Sequence, residues 1–568
     1  MFNKRSRYFR VGEAGVGGSK PTPYNQTGTT TNVSKDTFEI QHELAGTTAR
    51  NLESIEEVEK EPEYAELKPT IGVFSGSALI VGLMIGSGIF STPGTILAKV
   101  GSPGMAMVLW TLGGIVTYAG TISYVELGTM IPKNGGEQAY LAYAFQKPRA
   151  LIAFLFCWAM IVCIRPGSEA ADSNMFAKYI LYAAYGPRST MEPNTYIVDH
   201  YDWILRSISL VGFTAVSVTT ALSTRVALRV IDVLTIIKLL TLALISITGI
   251  VALAGGIPSV PNPGNWNNPF DGTKADGNGY AEALFKIFWT YDGWNNLNYS
   301  IGELKNPSKN LPIAATLGVG FTTTLYILSN LAYFAVVPKD IAISSAEVLA
   351  GNFSTIVFGF TVGRVVIPIF IAFSAYGAVS NMVFSGARIL LVAAREGYVP
   401  FGSWLGKLHH KWGTPVNAII VNWVWAVILM LAPPPGEVFD FLTDLVGYPS
   451  WIFYGISIVG LIRLRFTEPD TPRPFRAFLP GSVLFILVSI FLAIFPFVPP
   501  NSPPASEDIP YYLYAVLGVL FILIGIPVWY LQVIVTGSWK HAINHKKELA
   551  HELHGYAEAV REQVPDKK

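Results

Sequence analysis

Two short stretches carry the residues best able to do chemistry in this otherwise apolar chain. The first apolar run, IGVFSGSALIVGLMIGSGIFSTPG, has glycines at 72, 76, 82, 86 and 88. Each interior glycine costs a helix about 0.5–1 kcal/mol relative to alanine. Gly72/Gly76 and Gly82/Gly86 keep the small-xxx-small spacing of close helix packing. The other reading is a helix interrupted at Gly86-Ser87-Gly88, where free N–H groups and a positive dipole end could hold a carboxylate. The second stretch, FKIFWTYDGWNNLNYSIGELKNPSKNLP, sets Asp292-Gly293 and Asn295-Asn296 inside an aromatic, apolar segment. These are poor helix formers, and an acid at that depth is costly enough to suggest a functional site.

Paired interruptions in corresponding segments of two halves favour a binding site over a kinked packing helix. Lys238, about ten residues into VIDVLTIIKLLTLALI, is too deep to snorkel. It could replace a bound sodium ion with its ammonium, titrate and so couple transport to protons, or stand as a fixed charge against helix-end carbonyls. Arg165, Glu169 and Asp172 lie at helical spacing and read as a self-satisfying charge network. Trp289, Tyr291 and Trp294 flank the second interruption, which favours a gate over interfacial anchors. No H-E-x-x-H motif or nucleophile–base pair occurs, so the chain does not read as an enzyme. No metal or cofactor is implied.

The elements that must position these residues are transmembrane helices. The 568 residues are 51% apolar and only 14% charged, against about 25% charged in soluble domains. A formal charge of +1 suggests no nucleic-acid partner. Apolar runs of bilayer length fall at about 71–98, 104–130, 149–185, 203–222, 229–253, 280–302, 313–337, 361–394, 416–432, 441–462, 479–497 and 510–536. The fold class expected is an all-α membrane protein of twelve transmembrane helices. Lysine and arginine cluster in the loops after even-numbered helices, which puts both termini in the cytoplasm. Residues 1–69 read as a disordered tail in which Lys35, Lys60 and Lys68 could accept ubiquitin and recruit endocytic machinery, and 537–568 as a polar tail. Cys157 and Cys163 share one apolar run and no loop carries a cysteine, which excludes a disulfide framework.

Taken in order, IGSGIF (85–90), GSPG (101–104), YVELGTMIPKNGGE (124–137), IRPGS (164–168), IIKLL (236–240), YDGWNNLNY (291–299) and AREGYVP (394–400) make the chain recognisable. The span from Gly72 to Gln532 resembles the amino acid–polyamine–organocation superfamily, and within it the L-type amino acid transporter branch. NLAYFAVVPKD (330–340), GELKNPSKNL (302–311) and LAPPPG (431–436) look like fungal high-affinity methionine permeases. The resemblance implies a LeuT-like five-plus-five inverted repeat with broken helices 1 and 6. The repeats would be 70–253 and 254–465, with helices 11 and 12 over 466–536.

By the same resemblance, Ile85, Gly86, Ser87, Gly88 and Ile89 would bind a substrate carboxylate. Carbonyls of Trp289, Thr290 and Asp292, beside Gly293, would take the amine, and Trp289 would be the aromatic gate. Lys238 would occupy the sodium position, which implies sodium-independent and plausibly proton-coupled transport. The expected function is uptake of methionine or another large neutral amino acid across the plasma membrane. Asp292 resembles instead the branch member that accepts cationic amino acids and cystine, and points to a broader carrier. A non-transporting amino acid receptor is a further reading. Residues 186–202 lack the cysteine through which related exchangers join a glycoprotein, so a disulfide-linked heavy chain is not expected.

Overall fold

The computed structural model describes residues 69, 71–188, 191–192, 195–345, 348–434, 436, 438–499 and 510–535. The expected tails, with Lys35, Lys60 and Lys68, lie outside these residues apart from Pro69. The first crossing has two arms, α1a (Val73–Met84) and α1b (Gly88–Val100), bent by 48°. Gly101 closes α1b in the left-handed region at φ 81, and Ser102-Pro103 opens the next helix, with the Ser102 hydroxyl accepting from the Met105 N–H. The GSPG motif is therefore a stop signal followed at once by a start signal.

The remaining crossings are α2 (Pro103–Met130), α3 (Leu151–Tyr185), α4 (Tyr201–Leu222), α5 (Thr224–Leu253), α6, α7 (Pro307–Val336), α8, α9 (Val416–Leu431), α10 (Val438–Thr467), α11 (Leu479–Ile494) and α12 (Leu513–Trp529). α6 is again two arms, α6a (Gly277–Thr290) and the 3₁₀ turn α6b (Asn296–Glu303), separated by residues 291–295. α8 comprises Phe360–Val366 and Ile367–Arg395. Apolar helix continues upstream of it over Leu349–Gly359, making 47 residues in sequence. These do not form one rod. Gly359 sits at φ 72, and the Ser354 hydroxyl donates to the Gly363 carbonyl at 2.6 Å, where a straight helix would hold residues nine apart at about 13 Å. Leu349–Gly359 folds back, and the crossing begins where the apolar run at 361–394 predicts it.

α3 and α8 share a further device. Each is widened into a π turn, at Met160–Ile164 and at Phe360–Val366, just before Pro166 and Pro368. Proline has no N–H for the carbonyl four residues back. In α3 that carbonyl, on Val162, accepts instead from the Trp425 indole of α9. The third helix of each set of five thus carries a π turn before a proline, within α3 and at the start of α8. The broken helices also run oppositely: α1b packs on α6a, and α1a on α6b. Ile71 fixes this arrangement at one end, donating to the Glu303 carbonyl and accepting from the Lys305 N–H, both at 2.9 Å.

Tyr291 and Trp294 differ from their expected role as gate residues. Both lie within the α6 break, but their side chains are buried among neighbouring helices: Tyr291 against Trp110 and Tyr326, Trp294 against Tyr124, Tyr454 and Phe485. They clamp the α6 turn into the surrounding helices. A short helix at Glu137–Ala144 was not anticipated, because eight residues are too few to show a period. It buries Glu137, which accepts from the Asn295 amide just past the α6 break.

From the same short helix Gln138 donates to Glu396, at the end of α8. Burial pushes the Glu396 carboxyl up to about 7, against the pull of the Gln138 hydrogen bond and of Lys133. A carboxyl whose folded pKa lies above its unfolded value of 4.5 binds more protons when folded. Its contribution to stability is therefore full below about pH 4.5 and is lost as the pH rises through about 7. The melting temperature of the detergent-solubilised protein is expected to fall across this window, and Glu396→Gln to flatten that part of the curve. An identical slope in the variant would place the titration elsewhere.

Candidate functional site

A helix that stops inside a membrane leaves carbonyls with no intrahelical partner and no water to satisfy them. Around the end of α1a three carbonyls, those of Gly82, Met84 and Gly86, are met from three different helices. The Lys238 ammonium of α5 donates to the Gly82 carbonyl. The Tyr326 hydroxyl of α7 lies 2.6 Å from the Met84 carbonyl and 2.9 Å from that of Thr290, so its single proton is within reach of the ends of both α1a and α6a. Ser374 of α8 donates to Gly86 at 3.0 Å. Lys238 is fully buried, and its cation stands where the helix dipole is negative. Beyond the break, Ser87, Gly88 and Ile89 begin α1b, where backbone N–H groups lack intrahelical acceptors and the dipole end is positive.

The second break meets the first closely. A side chain at Gly88 would lie 2.6 Å from the Thr290 hydroxyl and 2.8 Å from its Cα. Thr92 and Thr290 share a hydrogen bond at 3.0 Å across the same contact. Gly293 turns the chain at φ 97 against Leu83. Between the breaks lies a small, nearly closed cavity of about 10 Å³, lined by Gly86, Ser87, Gly88, Trp289, Thr290 and Asp292 and closed by Leu83, Met84, Asp172 and Met382. Trp289 packs edge-on to Phe439 of α10 at its rim. Asp292 accepts from the Tyr454 hydroxyl of α10 at 3.1 Å.

Of the residues singled out in the sequence, Gly86, Ser87, Gly88, Trp289, Thr290 and Asp292 come together on this cavity. Ile85 and Ile89 are buried behind it, Gly293 turns away from it, and Lys238 stands in the shell behind α1a. Of the network expected among Arg165, Glu169 and Asp172, only Arg165 and Glu169 act on one another. Glu169 accepts from Asn422 of α9 at 2.6 Å, while Asp172 takes the Ser87 hydroxyl proton bond and lines the cavity. Their spacing on one helix concealed that they face different neighbours. Asp172 and Met382 were missed as cavity residues, and Tyr454 as the partner of Asp292, because their neighbours lie on other helices.

A second buried ion cluster was also missed. Lys286 of α6a bonds Asp440 and Asp444 of α10 at 2.9 and 3.0 Å, and donates to the Thr443 hydroxyl at 2.6 Å. It lies one turn before Thr290, on the side of the cavity away from the start of α1a. A larger surface pit, floored by Asn174 and rimmed by Arg188 and Asp202, touches neither break.

Comparison with known proteins places the chain in a family. The amino acid permease family model matches residues 71–522. The chain is 36% identical over 496 residues to the b(0,+)-type amino acid transporter 1 of Mus musculus, covering 86% of this chain and 94% of that protein. It is 30% identical to the high-affinity methionine permease of Saccharomyces cerevisiae, covering 79% of this chain and 77% of that protein. To the human cystine/glutamate transporter it is 30% identical, over 84% of this chain and 88% of the relative.

Proposed function

Because the chain belongs to the amino acid permease family, we propose that its central cavity carries L-amino acids by alternating access, without sodium, and accepts basic side chains as well as large neutral ones. Amino acid transport follows from the family, and the substrate range is read from the cavity. The observation that carries it is the Asp292 carboxylate on the cavity wall, anchored by Tyr454. The α-carboxylate would take the N–H groups of Ser87, Gly88 and Ile89, with Ile85 and Gly86 forming the interruption. The amine would take the α6a end at Trp289, Thr290 and Asp292, with Gly293 setting the turn and Trp289 closing the rim. Lys238 would hold in place a cation that sodium-coupled carriers bind from solution.

Methionine as principal substrate is a second reading, favoured by the apolar Leu83, Met84 and Met382 on the same cavity. The mouse b(0,+)-type relative and the yeast methionine permease support the broad and the narrow reading respectively. A plasma-membrane location with both termini cytoplasmic accords with the distribution of lysine and arginine. A disulfide to a partner has no thiol to use outside the membrane, since the only cysteines, Cys157 and Cys163, are buried in α3.

Reconstituted protein is expected to take up radiolabelled methionine saturably, with leucine and arginine both competing. Absence of saturable uptake for all three rejects the proposal, and binding without translocation would mark a receptor. Asp292→Gly removes a charged hydrogen-bonding partner worth about 1.5–3 kcal/mol. Arginine and lysine should then compete roughly tenfold to a hundredfold less well, with methionine much less affected. Unchanged competition by arginine would assign the basic side chain to another group.

A further inference from the structure

Asp172 belongs to the cavity, yet neither the carboxylate cradle nor the amine site uses it. It is 2% exposed, accepts from the Ser87 hydroxyl, and lies within 3.8 Å of where a side chain at Gly86 would begin. A substrate carboxylate held by the N–H groups of Ser87 and Gly88 would therefore stand against a second carboxylate in a site shielded from water. Two such groups in contact do not both remain ionised at little cost.

The other charged groups around Asp172 are already engaged. Lys238 of α5 donates to the Gly82 carbonyl of α1a, and its charge also acts on Asp172. Asp292 of α6 adds a further negative charge and is held by Tyr454 of α10. On α3 itself, Glu169 is bonded to Asn422 of α9 and neighbours Arg165. Arg206 of α4 donates to the Pro433 carbonyl at 2.6 Å. Asp440 and Asp444 of α10 are held by Lys286, and α8 faces the break with Ser374, Ala378 and Met382. With Lys238 set against Asp172 and Asp292, the cavity holds one more carboxylate than cation, and a zwitterionic substrate leaves that imbalance unchanged.

We propose that Asp172 is the proton-binding site of this carrier, and that each amino acid enters with one proton bound to the Asp172 carboxylate. The inference rests on the carboxylate cradle of the proposed function. A proton from the water on the uptake side adds to an Asp172 oxygen, forming one O–H bond. The protonated acid then donates to the substrate carboxylate instead of repelling it. When the cavity opens to the other side, water and the departing substrate leave Asp172 free to release the proton there.

The test is proton flux during methionine uptake into proteoliposomes loaded with a pH-sensitive dye. Methionine is a zwitterion, so its entry alone carries no acid equivalent. The wild type should acidify the lumen by about one proton per labelled methionine, and Asp172→Asn should lower that ratio towards zero whatever its remaining transport rate. Acidification per methionine that is equal in Asp172→Asn overturns the proposal and moves the proton to another group. Wild-type uptake without acidification also overturns it, while leaving amino acid transport standing. Absence of any wild-type uptake would reject the functional reading itself. Should Asp172→Asn fail to transport, Asp172→Glu decides: a displaced pH midpoint for methionine uptake supports the assignment, and an unchanged profile overturns it.

Discussion

Gly88→Ala is expected to reduce saturable amino acid uptake at least tenfold while the protein still reaches the membrane. The added methyl would lie 2.8 Å from the Thr290 Cα and 2.6 Å from its hydroxyl. A backbone atom on a packed helix cannot rotate aside, so α1b and α6a must separate, and overpacking of this kind costs about 1–3 kcal/mol. The separation also breaks the Thr92–Thr290 hydrogen bond and shifts both ends of the proposed substrate site. Comparison positions grade the effect. At Gly86 the nearest contact is the Ala378 methyl at 3.4 Å, so Gly86→Ala should be milder. Gly320 of α7 has open space around it, and Gly320→Ala should transport as the wild type does. Radiolabelled uptake normalised to surface protein checks the series. Equal activity in all three variants would mean that the two arms part during transport without needing this contact.

Both breaks were legible in sequence because glycine and an acid in an apolar run are locally anomalous, whatever surrounds them. Helix 8 was legible for a similar reason: its apolar run could be placed without knowing that Gly359 reverses the chain before it. What could not be read was partnership. Asp172 follows Glu169 and Arg165 at helical spacing, and spacing on one helix says nothing of which face meets Ser87 and which meets Asn422. Tyr326 looks like any aromatic of a membrane helix, yet its hydroxyl lies within reach of both broken helices, 242 and 36 residues away in sequence. Lys238 was recognisable as too deep to snorkel, but its carbonyl partner on α1a emerges only when α5 is packed against the break.

Lys286 is the strongest case of a partner distant in sequence, and its removal should have the largest effect on stability. Its ammonium bonds both Asp440 and Asp444, while the charges of Lys178 and Lys99 also act on Asp440. Lys286→Met leaves two carboxylates facing one another in a mostly buried site, and breaking a buried ion pair from one side costs about 3–5 kcal/mol. Partial exposure of Asp440 places the effect at the lower end of that range. The melting temperature should fall clearly. Adding Asp440→Asn and Asp444→Asn to Lys286→Met should restore most of the loss, because a neutral cluster carries no unpaired charge. Function should not follow stability. Lys286 lies on α6a and both acids on α10, so the cluster ties a broken helix to its neighbour on one side of the cavity and must part when that side opens. The triple variant should recover its melting temperature yet open that side more readily, measured as faster labelling of a cysteine introduced at the otherwise buried Phe439. If labelling follows the wild-type rate at restored stability, the cluster is an anchor that stays closed throughout the transport cycle.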